Sequence, residues 1–229
     1  MFKSRRKHAA KDPEYLRPYA EAARKVGARF EALLWQNPDG QRRRFDVIVD
    51  MVQPEHRSIA DLGCGRVDLL VHLHQIERAP RSYLGVDGIR AMVEAGQREI
   101  DTHSFHNARI IEGDFVADPA LFDEIVRTHA VDVLIFSGSL NTLEQPSAEA
   151  VLDRAFAALK PGQMLVFNFL SDLIPGGGSP ETGPAFRFST LGMLSWALAR
   201  TPLVQFRHDY LNGHDATILM RVPDRLPAE

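Results

Sequence analysis

Hydrophobic residues follow two patterns along this chain. From residue 58 onward, short apolar runs at 58–63, 83–87, 108–115, 131–139 and 163–170 alternate with segments in which apolar side chains recur every three or four positions. Short runs bounded by turn residues are typical of buried strands, and the three-to-four spacing is typical of helices. Regular alternation of the two predicts a parallel sheet covered by helices on both faces.

The two ends of the chain depart from this alternation. Residues 13–33 carry a helical stripe, and a second helix follows the turn sequence NPDG at 37–40 and ends near Pro54. At the other end, the strand-like segments 203–211 and 215–222 flank NGH and indicate a hairpin. The sequence therefore predicts a seven-stranded, mostly parallel, doubly wound (Rossmann-like) sheet whose last strand is antiparallel.

Three segments follow from this pattern. They are a disordered basic tail at 1–12, an N-terminal helical extension or lid at 13–55, and an α/β domain at 56–223. Ligands of such sheets bind at the carboxyl ends of the strands, where the strand order reverses.

Composition limits the classes of function. The chain has 229 residues, 45% hydrophobic and 25% charged, with a net charge of −3, which is ordinary for a soluble globular protein. Residues 1–50 hold twelve Lys and Arg against seven Asp and Glu, and the rest is acidic. No apolar run approaches the roughly 18 residues of a membrane span. The basic start lacks the apolar core of a secretory leader. With one cysteine and no disulfide, a cytoplasmic protein is expected.

The stretch IADLGCGRVDLL at 59–70 carries the first candidate chemistry. A buried strand ends at Asp61, and Gly63 and Gly65 follow in a turn that opens a helix. The dinucleotide fingerprint requires a third glycine where this chain has Asp68, and an acid beside a pyrophosphate would repel it. A nucleotide-dependent oxidoreductase is therefore the weaker alternative.

A different family fits the stretch better. DLGCG (61–65), an acid at the end of the second strand in YLGVD, an acid after the third strand in EGDF, and LKPGQ (159–163) resemble, in order, the motifs of class I S-adenosylmethionine-dependent methyltransferases. The resemblance covers residues 58–222 and implies S-adenosylmethionine as cofactor. It implies that Asp61 and the glycines cradle the methionine end, that Asp87 holds the ribose hydroxyls, and that Asp114 contacts the adenine amino group.

The predicted cofactor-binding set combines these positions with their neighbours. It consists of Asp61, Gly63, Cys64, Gly65, Asp87, Gly88, Asp114, Phe115, Ser137 and Arg44. Arg44 borders the buried stripe of its helix, so it either reaches the cofactor carboxylate or forms an ion pair at the surface. The family also has a glycine where this chain has Val67. Because β-branched residues disfavour positive φ, we expect Val67 in an ordinary backbone region.

The acceptor site is expected at the ends of strands four to six. Polar residues there are Ser139, Asn141, Asn168, Ser171, His208 and Tyr210. Among them, Asn141 is the candidate for orienting the nucleophile, and Tyr210 or His208 for taking its proton; alternatively these groups only cap strand ends. The loop 174–184, followed by Arg187 and a helix with Trp196, is placed to cover the site. The nine histidines are scattered, so no metal site is predicted.

These observations predict an enzyme that transfers a methyl group by SN2 displacement to a small or medium organic acceptor. A catalytically silent S-adenosylmethionine-binding module is the main alternative. The predicted partner is a small-molecule substrate, with neither nucleic acid nor membrane, and a homodimer is compatible with the sequence.

Overall fold

The computed structural model describes residues 12–176 and 183–224. Residues 1–11 of the predicted basic tail and the centre of the predicted loop 174–184 lie outside the described residues.

One mixed sheet organises the fold. Its strands are β1 Ser58–Leu62, β2 Ser82–Asp87, β3 Ala108–Glu112, β4 Val133–Phe136, β5 Met164–Ser171, β6 Arg187–Phe188, β7 Val204–Arg207 and β8 Asp215–Arg221. The order is β3-β2-β1-β4-β5-β8-β7, with β6 paired to the end of β5. Strands β1 to β5 are parallel, and β8 is antiparallel to both of its neighbours. The predicted sheet is confirmed, with the two-residue β6 as an addition.

Helices cover both faces of the sheet. They are α1 Arg17–Val26, α2 Pro38–Val52, α3 Asp68–Gln75, α4 Arg90–His103, α5 Leu121–His129, α6 Gln145–Ala158 and α7 Thr190–Leu198. Alternate residues of β4 enter opposite cores: Leu134 and Phe136 pack with α5, α6 and α7, whereas Val133 and Ile135 pack with α2 and α3. This alternation explains why the central strands read as continuous apolar runs.

The N-terminal segment contains two shorter helices where its apolar pattern predicts one. Instead of one helix over 13–33, α1 ends at Val26, and Gly27 has a φ of 71° before a short 3-10 helix at Phe30–Leu33. The NPDG sequence, expected as a turn before the second helix, begins that helix instead, because the 3-10 helix already ends at Leu33 and α2 starts at Pro38. Asn37 accepts a hydrogen bond from the backbone N–H of Gly40 at 2.7 Å and so caps α2.

The predicted hairpin at the C-terminal end is also corrected. Strand β7 stops at Arg207, and a 3-10 turn at Leu211–Gly213, with three consecutive positive φ values, replaces the tight turn. His208 and Tyr210 are therefore not strand residues. Phe206 is 36% exposed because β7 is the edge of the sheet.

A buried ion pair joins the N-terminal segment to the sheet. Arg44 on α2 donates from Nε and Nη2 to the two carboxylate oxygens of Asp215 on β8, at 2.6 and 2.7 Å. Its Nη1 donates to the carbonyl of Gly40 at 2.9 Å. Both charged residues are buried. Arg44 is therefore bound to Asp215. Of the two predicted alternatives, the structure shows the ion pair, and this pair lies in the interior instead of at the surface.

Replacing Arg44 with alanine should lower the free energy of unfolding by about 3 kcal/mol, because Asp215 is left buried without its partner. Arg43→Ala, one position along on the exposed face of the same helix, should change it by less than about 0.5 kcal/mol. Urea denaturation of both variants measures the difference. Equal midpoints for the two variants would show that the pair does not hold α2 to the sheet.

Candidate active site

The turn after β1 is built for close approach of backbones. Gly63 and Gly65 have φ values of 75° and 56°. The N–H groups of Gly63 and Cys64 both donate to the carbonyl of Val86 on β2, at 2.7 and 3.1 Å. A Cβ atom at Gly63 would lie 2.3 Å from the Cβ of Ser139 in the loop after β4. Only glycine fits there, and the loops after β1 and β4 meet in direct contact.

Val67 corrects the expectation of an ordinary backbone at this position. Its φ is 61° and its ψ is 33°, the left-handed conformation that the family's glycine would adopt. Such a conformation costs of the order of 1–3 kcal/mol for a residue other than glycine. The valine side chain is fully buried in the core beneath the turn, and this burial offsets the cost. The loop thus has the geometry of the glycine motif without its third glycine.

Asp87 fixes the turn from the neighbouring strand. One carboxylate oxygen accepts the N–H of Gly65 at 2.8 Å, and the other accepts the N–H of Ile89 at 2.8 Å. Burial raises the pKa of Asp87 to about 6, although both hydrogen bonds favour the charged form. The carboxylate lines the pocket described below, so a buried negative charge faces this space at neutral pH.

Asp61 and Cys64 lie behind the turn. Asp61 accepts a hydrogen bond from the hydroxyl of Tyr83 at 2.6 Å. Burial raises the pKa of Asp61 to about 7, and the charge of Asp87 adds to the rise. The Cys64 thiol is buried against Gly85, and burial raises its pKa well above the usual value. Neither side chain lines the pocket, so Asp61 can act on a ligand only through the turn and through its charge.

The pocket lies at the carboxyl ends of β1, β2 and β4, where the strand order reverses. Six predicted residues line it: Gly63, Gly65, Asp87, Gly88, Phe115 and Ser137. The hydroxyls of Ser137 and Ser139, also in its wall, are buried without a hydrogen-bond partner. Among the described residues that line the pocket there is no Lys, Arg or His. A phosphate would find no cationic side chain there, whereas a cation would meet Asp87.

The N-terminal segment forms the remaining wall, which sequence reasoning expected only in outline. Its lining residues are Tyr15, Leu16, Tyr19, Leu33 and Trp35. Three of them rest on glycines, because a Cβ atom would lie 3.0 Å from Leu16 at Gly88, 2.7 Å from Leu33 at Gly65 and 2.3 Å from Trp35 at Gly138. The predicted helical stripe included Tyr15, Tyr19 and Leu33 but neither Leu16 nor Trp35, and it did not indicate which surface these side chains cover.

Asp114 is held by this segment instead of facing the pocket. One of its oxygens accepts the hydroxyl of Tyr15 at 2.7 Å, and the other accepts the N–H groups of Val116 and Ala117, both at 3.0 Å. The next residue, Phe115, does line the pocket. Contact of Asp114 with an adenine amino group stays a prediction.

A second, wider cavity lies on the other side of Trp35. Its wall includes Trp35, Arg44, Asn141, Arg187 and His214. The guanidinium of Arg44 lies 4.6 Å from the centre of the Trp35 ring. The structure therefore places Arg44 in this second cavity and not in the pocket where it was predicted to bind a cofactor.

The three predicted catalytic residues are separated. Asn141 lines the second cavity, is 8% exposed, and its side-chain Oδ1 has no hydrogen-bond partner. His208 Nε2 instead contacts the hydroxyl of Ser171 at 3.0 Å and the carbonyl of Gly213 at 2.9 Å. The hydroxyl of Tyr210 bonds to that of Thr217 at 2.7 Å in the core. Neither His208 nor Tyr210 lines the two cavities, because the strand predicted to carry them ends earlier.

Residues 59–162, just under half of the chain, match a family model described as a methyltransferase domain. This match spans the glycine turn, Asp87 and the loop after β4, which form one wall of the pocket, and it leaves out the N-terminal segment that forms the other. Residues 59–162 therefore carry a methyltransferase domain, and the sheet around them has the Rossmann-like methyltransferase fold. A comparison with curated protein sequences gives no significant match.

Solved structures share the fold of this methyltransferase at low sequence identity. An O-methyltransferase family protein from Burkholderia thailandensis is 17% identical with a TM-score of 0.60, over 82% of this chain and 59% of that one. The present chain thus spans only 59% of that protein's length. Magnesium protoporphyrin IX methyltransferase from Synechocystis PCC 6803, with bound SAH, is 15% identical with a TM-score of 0.59, over 80% and 84% of the two chains. The CcbJ methyltransferase from Streptomyces caelestis is 13% identical with a TM-score of 0.63, over 90% and 98%.

Two further properties of the methyltransferase concern the described residues only. Within 12–176 and 183–224, no three His, Cys, Asp or Glu side chains are grouped so that they could hold a metal ion. In the same part of the chain, none of the helices is both long enough and apolar enough to cross a bilayer.

The pocket of the methyltransferase fits S-adenosylmethionine by its chemistry. The glycine turn gives a ligand access to backbone, Asp87 presents a buried carboxylate, and the two unpartnered serine hydroxyls can bond to polar groups. Aromatic and aliphatic side chains, including Phe115 and Ile89, form an apolar section suited to a base. This combination suits a cofactor that carries positive charge and a nucleoside but no phosphate.

Asp87→Ala should weaken binding of S-adenosylmethionine at least tenfold, because charge-assisted hydrogen bonds contribute about 1.5–3 kcal/mol each. Glu94→Ala is the control, since Glu94 on the following helix pairs only with Arg90 at the surface. Isothermal titration calorimetry measures both affinities, and circular dichroism checks the fold. Unchanged affinity in a folded Asp87→Ala protein would refute the assignment of Asp87.

The affinity for S-adenosylmethionine should fall as the pH is lowered from 7.5 to 5.5. The pKa values of Asp61 and Asp87, about 7 and about 6, are raised by burial, so both carboxylates take up protons in this interval. The cationic cofactor favours the charged forms, and its binding should therefore release protons. Calorimetry in buffers of different ionisation enthalpy measures that release. An affinity that rises toward pH 5.5 would contradict the role of the two acids.

Proposed function

We propose that this methyltransferase modifies a small or medium organic acceptor held in the second cavity. The observation that carries the proposal is the position of Trp35 and of the loop after β4. Trp35 lines both cavities, and within that loop Ser139 lines the cofactor pocket while Asn141, two residues later, lines the second cavity. An acceptor there would lie beside the cofactor pocket.

S-adenosylmethionine, when bound, supplies an electrophilic methyl group on a sulfonium. The protein contributes mainly by aligning the acceptor with the methyl group. A nucleophile that is already held in line with the reacting bond need not be brought there by diffusion. The turn at 63–67 and Asp87 hold one side of the reaction, and the second cavity holds the other. A dedicated base is required only for an acceptor that is protonated at the working pH. The separation of His208 and Tyr210 from both cavities is compatible with such a mechanism.

Asn141 is the proposed residue that orients the acceptor. Asn141 lines the cavity, and its Oδ1 atom is buried without a partner among the described residues, so it can accept a hydrogen bond from an O–H or N–H group of the acceptor. That bond would direct the lone pair of the nucleophile away from Asn141.

Residues 13–55 are the proposed lid over the cofactor pocket. The support is the seating of Leu16, Leu33 and Trp35 on glycines of the pocket wall, together with the hydrogen bond from Tyr15 to Asp114. A ligand enters past these contacts, and their closure keeps water from the reaction.

A free metabolite in a reducing, cytoplasmic setting fits these features better than a macromolecule. The supporting observations are the cover that the N-terminal segment forms over the pocket, the single buried cysteine and the acidic balance of the residues after 50. An acidic surface repels the phosphates of nucleic acid. A homodimer stays a prediction.

Two measurements in sequence test the function. In a thermal-shift assay, S-adenosylmethionine and S-adenosylhomocysteine should raise the melting temperature, and NAD should not, because the pocket has no cation for a pyrophosphate. Incubation with methyl-labelled S-adenosylmethionine and a small-molecule extract should then give a labelled product. Protection by NAD alone would favour an oxidoreductase, and cofactor binding without any labelled product would favour the silent binding module.

A further inference from the structure

Arg187, on the short strand β6, has an unused edge in the second cavity. Its Nη1 donates to the carbonyl of Ser171 at 2.7 Å, and its Nη2 contacts Nε2 of His214 at 3.0 Å. Its Nε is buried and has no hydrogen-bond partner. Buried donors without an acceptor are uncommon in folded proteins, and each requires an explanation.

The orientation of Arg187 is set by a chain of hydrogen bonds from the core. Because a guanidinium only donates, Nε2 of His214 must be the acceptor, and the imidazole proton is on Nδ1. That Nδ1–H donates to Asp215 at 2.6 Å, and Asp215 is held by both nitrogens of Arg44. This chain of hydrogen bonds, which runs from Arg44 through Asp215 and His214, therefore fixes the orientation of the Arg187 guanidinium.

The charge of Arg187 is not balanced by a carboxylate as that of the buried Arg44 is. In the second cavity Arg44 is paired with Asp215, and Arg42 with Asp39. Among the described residues no carboxylate forms an ion pair with Arg187. Burial lowers the pKa of Arg187, while Asp215, reached only through His214, opposes the shift. A fixed cation in a partly buried cavity favours an anionic ligand.

The free edge of Arg187 suits a carboxylate in shape as well as in charge. In a guanidinium, Nε–H and one N–H of Nη2 lie parallel on the same side. The contacts with Ser171 and His214 occupy Nη1 and one of the two N–H groups of Nη2, which leaves Nε–H and a second N–H of Nη2 available. Two parallel N–H groups match the two oxygens of a carboxylate, which forms the strongest type of arginine contact.

A second unpartnered group lies nearby in the same cavity. The backbone carbonyl of Asn141 accepts the N–H of Phe186 at 2.7 Å, which fixes the loop after β4 next to Arg187. Asn141 is 8% exposed, and its Oδ1 accepts no hydrogen bond from a described residue. An acceptor with an acid group at Arg187 and an O–H or N–H group at Asn141 would satisfy both.

We propose that the methyl acceptor is an organic acid whose carboxylate binds the Nε and Nη2 edge of Arg187, with His214 as a positioning residue for that edge. This inference rests on the proposed function, since it names the class of molecule that the second cavity receives. The carboxylate anchors the acceptor, and Asn141 directs its nucleophilic group.

The first experiment uses the full-length wild-type protein, methyl-labelled S-adenosylmethionine and a small-molecule extract divided by anion exchange at pH 8. The expected result is labelled product from the retained, acidic fraction, unchanged after the fraction is treated with phosphatase. Labelling only in the unretained fraction overturns the inference and leaves the proposed function intact. Loss of labelling after phosphatase treatment overturns the carboxylate. No labelling in any fraction, with the cofactor bound, overturns the proposed function itself.

The second experiment measures the KM of the acceptor purified from that fraction. Arg187→Met should raise this KM at least tenfold and leave the affinity for S-adenosylhomocysteine unchanged. Arg187→Lys should recover part of the loss, because lysine restores the charge but not the two parallel N–H groups. His214→Phe should raise KM more than it lowers kcat. Arg221→Met, on the exposed end of β8, is the matched control. Thermal melting verifies the folding of each variant. An unchanged KM in folded Arg187→Met overturns the proposal.

Discussion

The cofactor pocket depends on one buried carboxylate. Asp87 ends β2 and accepts hydrogen bonds from Gly65, in the turn after β1, and from Ile89, at the start of α4. A single side chain thus ties together the loops of two adjacent parallel strands at the point where the strand order reverses. Burial opposes the charge of Asp87, and the two N–H groups compensate for it only in part. A ligand that brings positive charge would complete this compensation, so the element that shapes the pocket also selects its occupant.

The N-terminal segment links the two cavities physically. Its Trp35 rests on Gly138 and is contacted on its ring by Arg44, which is fixed in turn by Asp215 on β8. Through Asp215 and His214 the same network reaches Arg187 in the second cavity. One packed and hydrogen-bonded unit therefore includes both the cover of the cofactor pocket and the wall of the proposed acceptor site. A substitution in either part should change the structure of the other.

The parallel sheet could be predicted from local pattern, and so could the glycines and the acid at strand ends that line the pocket. Apolar runs set the strands, and an acid or glycine at a strand end needs no knowledge of distant contacts. Val67 could not be predicted, because its left-handed backbone is offset by burial in a core that only the tertiary structure defines. The positions of His208 and Tyr210 could not be predicted either. The alternating pattern of side chains continues past Arg207, whereas the strand ends there and a 3-10 turn follows at Leu211–Gly213. Arg44 and Asp215 are 171 positions apart, and nothing local indicates their pairing.

A crystal structure of the complex with S-adenosylhomocysteine tests the central claim most directly. The account predicts that the ligand lies between the glycine turn and the N-terminal segment, with its ribose hydroxyls within hydrogen-bond distance of Asp87 and its sulfur directed toward the cavity that contains Asn141 and Arg187. A ligand bound away from Asp87, or one whose sulfur points away from that second cavity, would contradict it.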